Sequence, residues 1–337
     1  MFDNLLSTAS DQQADYAAAR SVAVVLDLSD HTHLELTGAD RARFLHGFCT
    51  NEIKALKPGQ GTEAFITNVQ GRVLGHIFVF ATESSLWLDT VAGQSDRLVK
   101  HLSRYQITED VSFANRSDEW AELLVAGPQA MEIVSKTTAH ASPTNHLDHV
   151  AAPGVLSDAA ALQVRRFDIL GVPGFLLLAP RESLPKLTAL VVAAGARSAG
   201  PDVFESLRIE AVWPQYSRDI SDENLAQEVN RTKQAISFKK GCYLGQEPIA
   251  RIDALGHVNQ ELRLIRLPAS CPPPAGSELF SIDNNQKAIG RVTSSAIDFA
   301  NDGGAVAMAY VRRGFLDDGT SVRVRVDEQF VPASVSG

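Results

Sequence analysis

An α+β body followed by a small all-β barrel or sandwich is the fold class this sequence predicts. Three observations carry it. Helical and strand-like patterns alternate along most of the chain without the regular strand–helix–strand rhythm of a parallel sheet. The last stretch, about 75 residues, holds only short strand patterns separated by turn clusters. A chain of 337 residues with 45% hydrophobic content exceeds one ordinary core and points to two or three domains.

The elements follow in order. VAVVLDLSDHTHLELTG reads as two short strands with Asp30 in the turn, and GADRARFLHGFCTNEIKAL as a helix capped by Asp40, with Phe44, Leu45 and Phe48 at helical spacing. EAFITNVQGRVLGHIFVF gives two strands joined by the turn Asn68-Val69-Gln70-Gly71, and SLWLDTV a further strand. SDRLVKHLSRY predicts an amphipathic helix with Ser95 as cap and Leu98, Leu102 and Tyr105 on one side; DVSFANR and AELLVAG return to strand character. After Gly127-Pro128 come a helix through Met131 and Val134, a loose polar stretch over 140–160, strands at LQVRRFDIL and GFLLLAP, and a helix from about Arg181 to Ala194. Pro201 opens another helix, PDVFESLRIEA, because proline suits a first helical turn. In the tail, ELRLIRL, ELFSI, AIGRVTSSA, AVAMAYV and TSVRVRV are five strands spaced by NN, NDGG and DDG turns, with CPPPAGS as a proline-rich kink. The domain boundary is set near Asn259, giving a body over 1–258 and a β-domain over 259–337.

Lysine and arginine total 31 against 40 acids, a net charge of −9, so a broad phosphate-backbone footprint and direct nucleic-acid binding are not expected. Three scattered cysteines, Cys49, Cys242 and Cys271, fit neither a disulfide framework nor a paired zinc motif, and their odd number suits a reducing compartment. The N-terminal stretch lacks the basic-then-apolar order of a secretion signal, and no run approaches the roughly 18 apolar residues of a membrane span. A cytoplasmic protein is expected.

The chemistry concentrates at KKGCYLGQE, residues 239–247. From Arg231 to Ile252 there are five cationic side chains, Arg231, Lys233, Lys239, Lys240 and Arg251, and one acid, Glu247. Such a cluster is either a solvated face or a pocket for an anion such as a carboxylate tail or phosphate. Lys239 and Lys240, if close in space, favour the thiolate of Cys242, while Gly241 and Gly245 permit positive φ or close approach to a ligand. Gln246 and Glu247 can supply polar contacts or cap a following segment, and Pro248 blocks a helix that needs its N–H. Cys242 itself reads as a nucleophile, a metal ligand or a small buried filler; no histidine is near enough in sequence to define a dyad. No metal site follows from the cysteines alone.

KGCYLGQE, with ENLAQEVN before it and ARIDALGHVN after it, resembles the signature of the YgfZ-type folate-binding proteins, which are related to the aminomethyltransferase (T-protein) of the glycine cleavage system. The likeness extends to TNEIKALKPGQG, NVQGRVL, LRIEAVWPQY and the β-rich tail. It implies a three-domain ring of two interleaved α+β modules and a terminal β-barrel around a folate channel. It also implies an accessory role in iron–sulfur cluster assembly or repair, including in enzymes that modify tRNA, that depends on the cysteine matching Cys242. Tetrahydrofolate is the implied cofactor, with a transient iron–sulfur cluster and iron–sulfur or cluster-assembly proteins as partners, and no membrane.

The same resemblance places the pterin-holding glutamate at Glu210, whose carboxylate can accept two parallel hydrogen bonds from an aminopyrimidine edge. Lys240 and Arg251 are candidates for the anionic tail; Gly241, Tyr243, Gly245, Gln246 and Glu247 complete the candidate folate site, and Phe65, Trp213 or Tyr243 could wall the pteridine. Two positions depart from the pattern. Aminomethyltransferases carry an acidic pair where this chain has Gly75 and His76, which removes the electrostatic partner of aminomethyl transfer. Leu255 stands where many relatives have arginine. The alternatives to an accessory protein are a folate-dependent one-carbon (aminomethyl) transferase or demethylase, and a cysteine-nucleophile enzyme unrelated to folate.

Overall fold

The computed structural model describes residues 9–156, 161–268, 271–301 and 303–336. The chain divides into two compact units: residues 17–199 with 233–246, and the residues up to Tyr16 with 200–232 and 247–337.

The first unit holds two sheets. One has five antiparallel strands in the order Gly61–Thr67, Val73–Ala81, Leu86–Thr90, Thr32–Thr37, Ser112–Asn115. The other has six, in the order Arg197–Ser198, Val24–Asp27, Trp120–Ala126, Gly174–Pro180, Leu162–Arg166, His149–Ala152. The two strands read from VAVVLDLSDHTHLELTG therefore exist but do not pair with each other; they open different sheets, and the five-stranded sheet is inserted between the first two strands of the six-stranded one. Periodicity locates strands without naming their partners, so this interleaving leaves no mark in the local pattern.

The elements that differ from expectation differ for local reasons. The helix predicted from Gly38 onward is confined to Arg41–His46, because the chain then turns to bridge Cys49 with Ile66 and to donate Thr50 N–H to Phe65 O. Asp40 does not cap it: its carboxylate accepts from Asp110 N instead. The helix Ser95–Ser103 buries Leu98 and Leu102 as expected, but Ser95 is its first residue rather than its cap and Tyr105 lies beyond its end. A strand, His149–Ala152, occupies part of the stretch expected to be loose. The hairpin turn at 68–71 forms as read, with Asn68 Oδ1 accepting from Gln70 N and Arg72 N and Gly71 at φ +73°.

The second unit is built around a closed six-stranded barrel, ordered Gln260–Leu267, Gly304–Arg312, Ala288–Asp298, Glu278–Ser281, Ser321–Val326, Gln329–Ser336. Ile265, Leu279, Val292, Ala307, Val324 and Val335 fill it. Five strands match the expected ones. The sixth, Gln329–Ser336, was hidden by Pro332, a residue that argues against strand assignment because it cannot donate to a ladder. Against the barrel lies the helix Pro201–Glu210, where Ser206 Oγ donates to Ile297 O and Arg208 and Asp219 form a buried ion pair at 2.8 Å. No helix among the described residues is long and apolar enough to cross a membrane.

Where the two sheets of the first unit meet, His149 is buried and its Nε2–H donates to Ala81 O at 2.8 Å. Burial first, and then the charge of Arg165, pushes its pKa down to about 4. The unfolded chain takes up this proton near the ordinary imidazole value, so the folded state is penalised progressively as pH falls from about 6.5 toward 4. Urea titrations across that window should show a loss approaching 3 kcal/mol from this group, and His149→Gln should remove most of the slope. An unchanged slope in the variant would refute the assignment.

Candidate functional site

The segment carrying KKGCYLGQE is a strap across the five-stranded sheet. At its entry Thr50 Oγ1 donates to Ala235 O at 2.6 Å, Asn51 Nδ2 to Gln234 O at 2.8 Å, and Ser237 N to Thr50 O at 2.9 Å. Lys240 follows, buried, with its Nζ donating to His46 O at 2.6 Å, Cys49 O at 2.7 Å and Asn51 O at 2.8 Å. The exit is held by Leu244 N donating to Gly47 O at 2.9 Å and Thr67 Oγ1 donating to Leu244 O at 2.7 Å. Between these clamps Cys242 is exposed and carries a free thiol.

This arrangement corrects two expectations. Lys240 is not available to an anionic tail, because all three ammonium protons are taken by backbone carbonyls. Burial holds its pKa below the ordinary lysine value. Second, only Gly245 of the two motif glycines needs to be glycine: it sits at φ +85°, and a Cβ there would stand 2.4 Å from Asn68 O. Gly241 has no such constraint, since a Cβ would meet His46 Nε2 at an ordinary 3.7 Å. Pro248 sits where a helix does not need its N–H. It lies in the first turn of Gln246–Leu255, where an N–H has no intrahelical partner, beside Glu247, an acid favoured at a helix start. Arg251 is exposed on that helix, and Leu255 at its end is exposed too.

The remaining two cysteines differ from Cys242. Cys49 is sealed in the core, where burial pushes its thiol up to about 11, and Cys271 is exposed beside the proline-rich kink. Tyr243 packs under Lys240, its ring centroid 4.8 Å from Nζ, and burial pushes its phenol up to about 12. Phe65, Trp213 and Tyr243, the proposed pteridine walls, are all buried.

The Gly75-His76 position is closed. A Cβ at Gly75 would lie 2.7 Å from Leu98 Cδ2, so an acidic residue there would displace Leu98. His76 is a core residue: its Nε2 lies 2.8 Å from Glu63 Oε1, and its ring packs between Phe65 and Phe78 at 5.0 and 5.2 Å. Nothing in this geometry makes it a substitute base open to a ligand.

Glu210 belongs to the second unit, as the last residue of its helix. Tyr16 O–H lies 3.0 and 2.8 Å from its two carboxylate oxygens and fixes their plane. A carboxylate whose plane is fixed is the kind of group that meets an aminopyrimidine edge through two parallel hydrogen bonds. Tyr16, on the helix Ala9–Ser21, was missed in the sequence. That helix is alanine-rich and buries only Asp15, Tyr16 and Ala19 over 11–20, too few to show a periodic face. The carbonyls that hold Lys240 were missed as well. Only Asn51 among them lay in a stretch the sequence had marked, TNEIKALKPGQG; Asn68 of NVQGRVL meets the strap at Gly245.

Comparison with known proteins gives a consistent picture. The profile described as "GCVT N-terminal domain" matches residues 6–240, and the "Glycine cleavage T-protein C-terminal barrel domain" matches 261–337. An aminomethyltransferase of Desulforamulus reducens is 24% identical over 96% of this chain and 87% of its own length. The tRNA-modifying protein YgfZ of Yersinia enterocolitica is 27% identical over 91% and 89%. The crystal structure of glycine cleavage system aminomethyltransferase T from Bartonella henselae superposes with a TM-score of 0.86, covering 98% of this chain and 90% of that one at 19% identity. That likeness establishes the shared fold.

Proposed function

Because this chain belongs to the glycine cleavage T-protein family, we propose that it is a cytoplasmic, folate-binding accessory protein for iron–sulfur cluster assembly or repair that acts through Cys242. The observation that carries this reading is the exposed thiol of Cys242 on a strap clamped at both ends. A thiol held so can offer one ligand to a cluster shared with a partner protein. The relative named as a tRNA-modifying protein supports the same direction. Glu210 holds the pterin of tetrahydrofolate and Arg251 meets its anionic tail; bound folate supplies a one-carbon acceptor.

The aminomethyltransferase relatives favour a second reading, a folate-dependent one-carbon transferase. The closed Gly75-His76 position, with His76 paired to Glu63, counts against it. Purified protein given folate and a panel of methylated amines should form no methylenetetrahydrofolate at a useful rate.

The deciding experiment is complementation. In a strain lacking this protein, Cys242→Ala should leave cluster-dependent enzymes at the level of the deletion. Its stability should change by no more than about 0.5 kcal/mol, as expected for an exposed position. Full restoration of those activities by the variant would defeat the proposal.

A further inference from the structure

Between the two sheets of the first unit lies a second group of chemically capable side chains, distant in sequence from the cysteine motif. His33 and Asp89 come from the five-stranded sheet, Glu122 and Arg165 from the six-stranded one, and all four are buried. One nitrogen of His33, one oxygen of Asp89 and one of Glu122 lie within 4.8 Å of one another. His33 Nδ1 is 3.1 Å from Asp89 Oδ1, and the other Asp89 oxygen is held by Arg165 Nη1. The other ring nitrogen of His33, Nε2, is buried and has no hydrogen-bond partner.

Glu122 repeats the anomaly. It is fully buried, and neither carboxylate oxygen has a well-directed hydrogen bond, although His31 Nδ1 stands 2.9 Å from Oε1. Arg165 balances one of the two buried carboxylates. Buried polar atoms without a well-directed partner, His33 Nε2 and the Glu122 oxygens, are costly in a dry interior, and one cation bound among them would satisfy both.

We propose that His33 and Glu122, with His31 as a third donor, form a site for a divalent transition metal of the zinc class, and that Asp89 orients the His33 ring. Imidazole and carboxylate suit such an ion, and a carboxylate behind a ligating histidine is the usual means of fixing its tautomer. Ligands about 2.1 Å from zinc can stand up to ~4.2 Å apart, so the His33 and Glu122 atoms, within 4.8 Å of each other, need only small side-chain movements, and His31 reaches the site through its 2.9 Å contact with Glu122. Next to the group, Arg165 Nη2 donates to Gln163 Oε1 at 2.9 Å, and Gln163 lines a cleft of about 400 Å³ together with Trp120, His149 and Thr82.

The test uses the full-length chain, stripped with chelator and titrated with Zn²⁺ by calorimetry, and with Co²⁺ by absorption. One ion per chain is expected, with a Co²⁺ spectrum of nitrogen and oxygen ligation lacking a thiolate charge-transfer band. Glu122→Gln should weaken binding at least tenfold, on the order seen when a metal site loses a ligand or its support, while Cys242→Ser should leave it unchanged. No equimolar binding would overturn the proposal and leave Glu122 balanced by His31 alone. A thiolate band, or binding lost in Cys242→Ser and kept in Glu122→Gln, would overturn it too. The wild-type spectrum decides the matter even if Glu122→Gln fails to fold.

Discussion

Lys240→Met is expected to destabilise the protein by roughly 3–5 kcal/mol, the usual cost of removing one partner from a buried charged network. Methionine fills much the same volume but leaves the carbonyls of His46, Cys49 and Asn51 buried without their donor. Arginine should not rescue the position. Its planar fork does not reproduce a compact ammonium shared among three converging oxygens. Urea unfolding of both variants checks this, and a shift under about 1 kcal/mol for Lys240→Met would remove Lys240 from its assigned structural role. The effect should reach function, because the same contacts fix one end of the strap that presents Cys242.

Glu210→Gln should weaken tetrahydrofolate binding by about 1.5–3 kcal/mol, or roughly 10- to 150-fold, since an amide can accept only one of two charge-assisted hydrogen bonds. Tyr16→Phe should have a smaller effect, because it frees the carboxylate plane without removing the acceptor. Calorimetry on the two variants separates charge from orientation. Wild-type affinity in Glu210→Gln would mean that the pterin is held elsewhere.

Much of the fold was legible because short-range pattern suffices for strands, turns and proline-led helices; the 68–71 hairpin, the helix opened by Pro201 and five barrel strands are examples. The misses share a cause. Strand partners, the role of Asp40 and the sixth barrel strand are set by contacts far along the chain, which local pattern does not encode. The site divides in the same way. The motif pointed to Cys242 and Gly245, yet charge counting misread Lys240, because a cation cluster in sequence does not reveal that one member turns inward to carbonyls from residues 46–51. The His33, Asp89 and Glu122 group had no sequence signal at all, its members lying on three separate strands.

The insertion of one sheet within another also sets a timetable for the nascent chain. Val24–Asp27 leaves the ribosome early, yet its antiparallel neighbour Trp120–Ala126 is made only after the whole inserted sheet has been synthesised. At about 5–20 residues per second that wait is roughly 5–20 s, long on the scale of hairpin formation. The inserted sheet can therefore close as an independent nucleus while the first strand stays unpaired, and the outer sheet assembles around a finished insert.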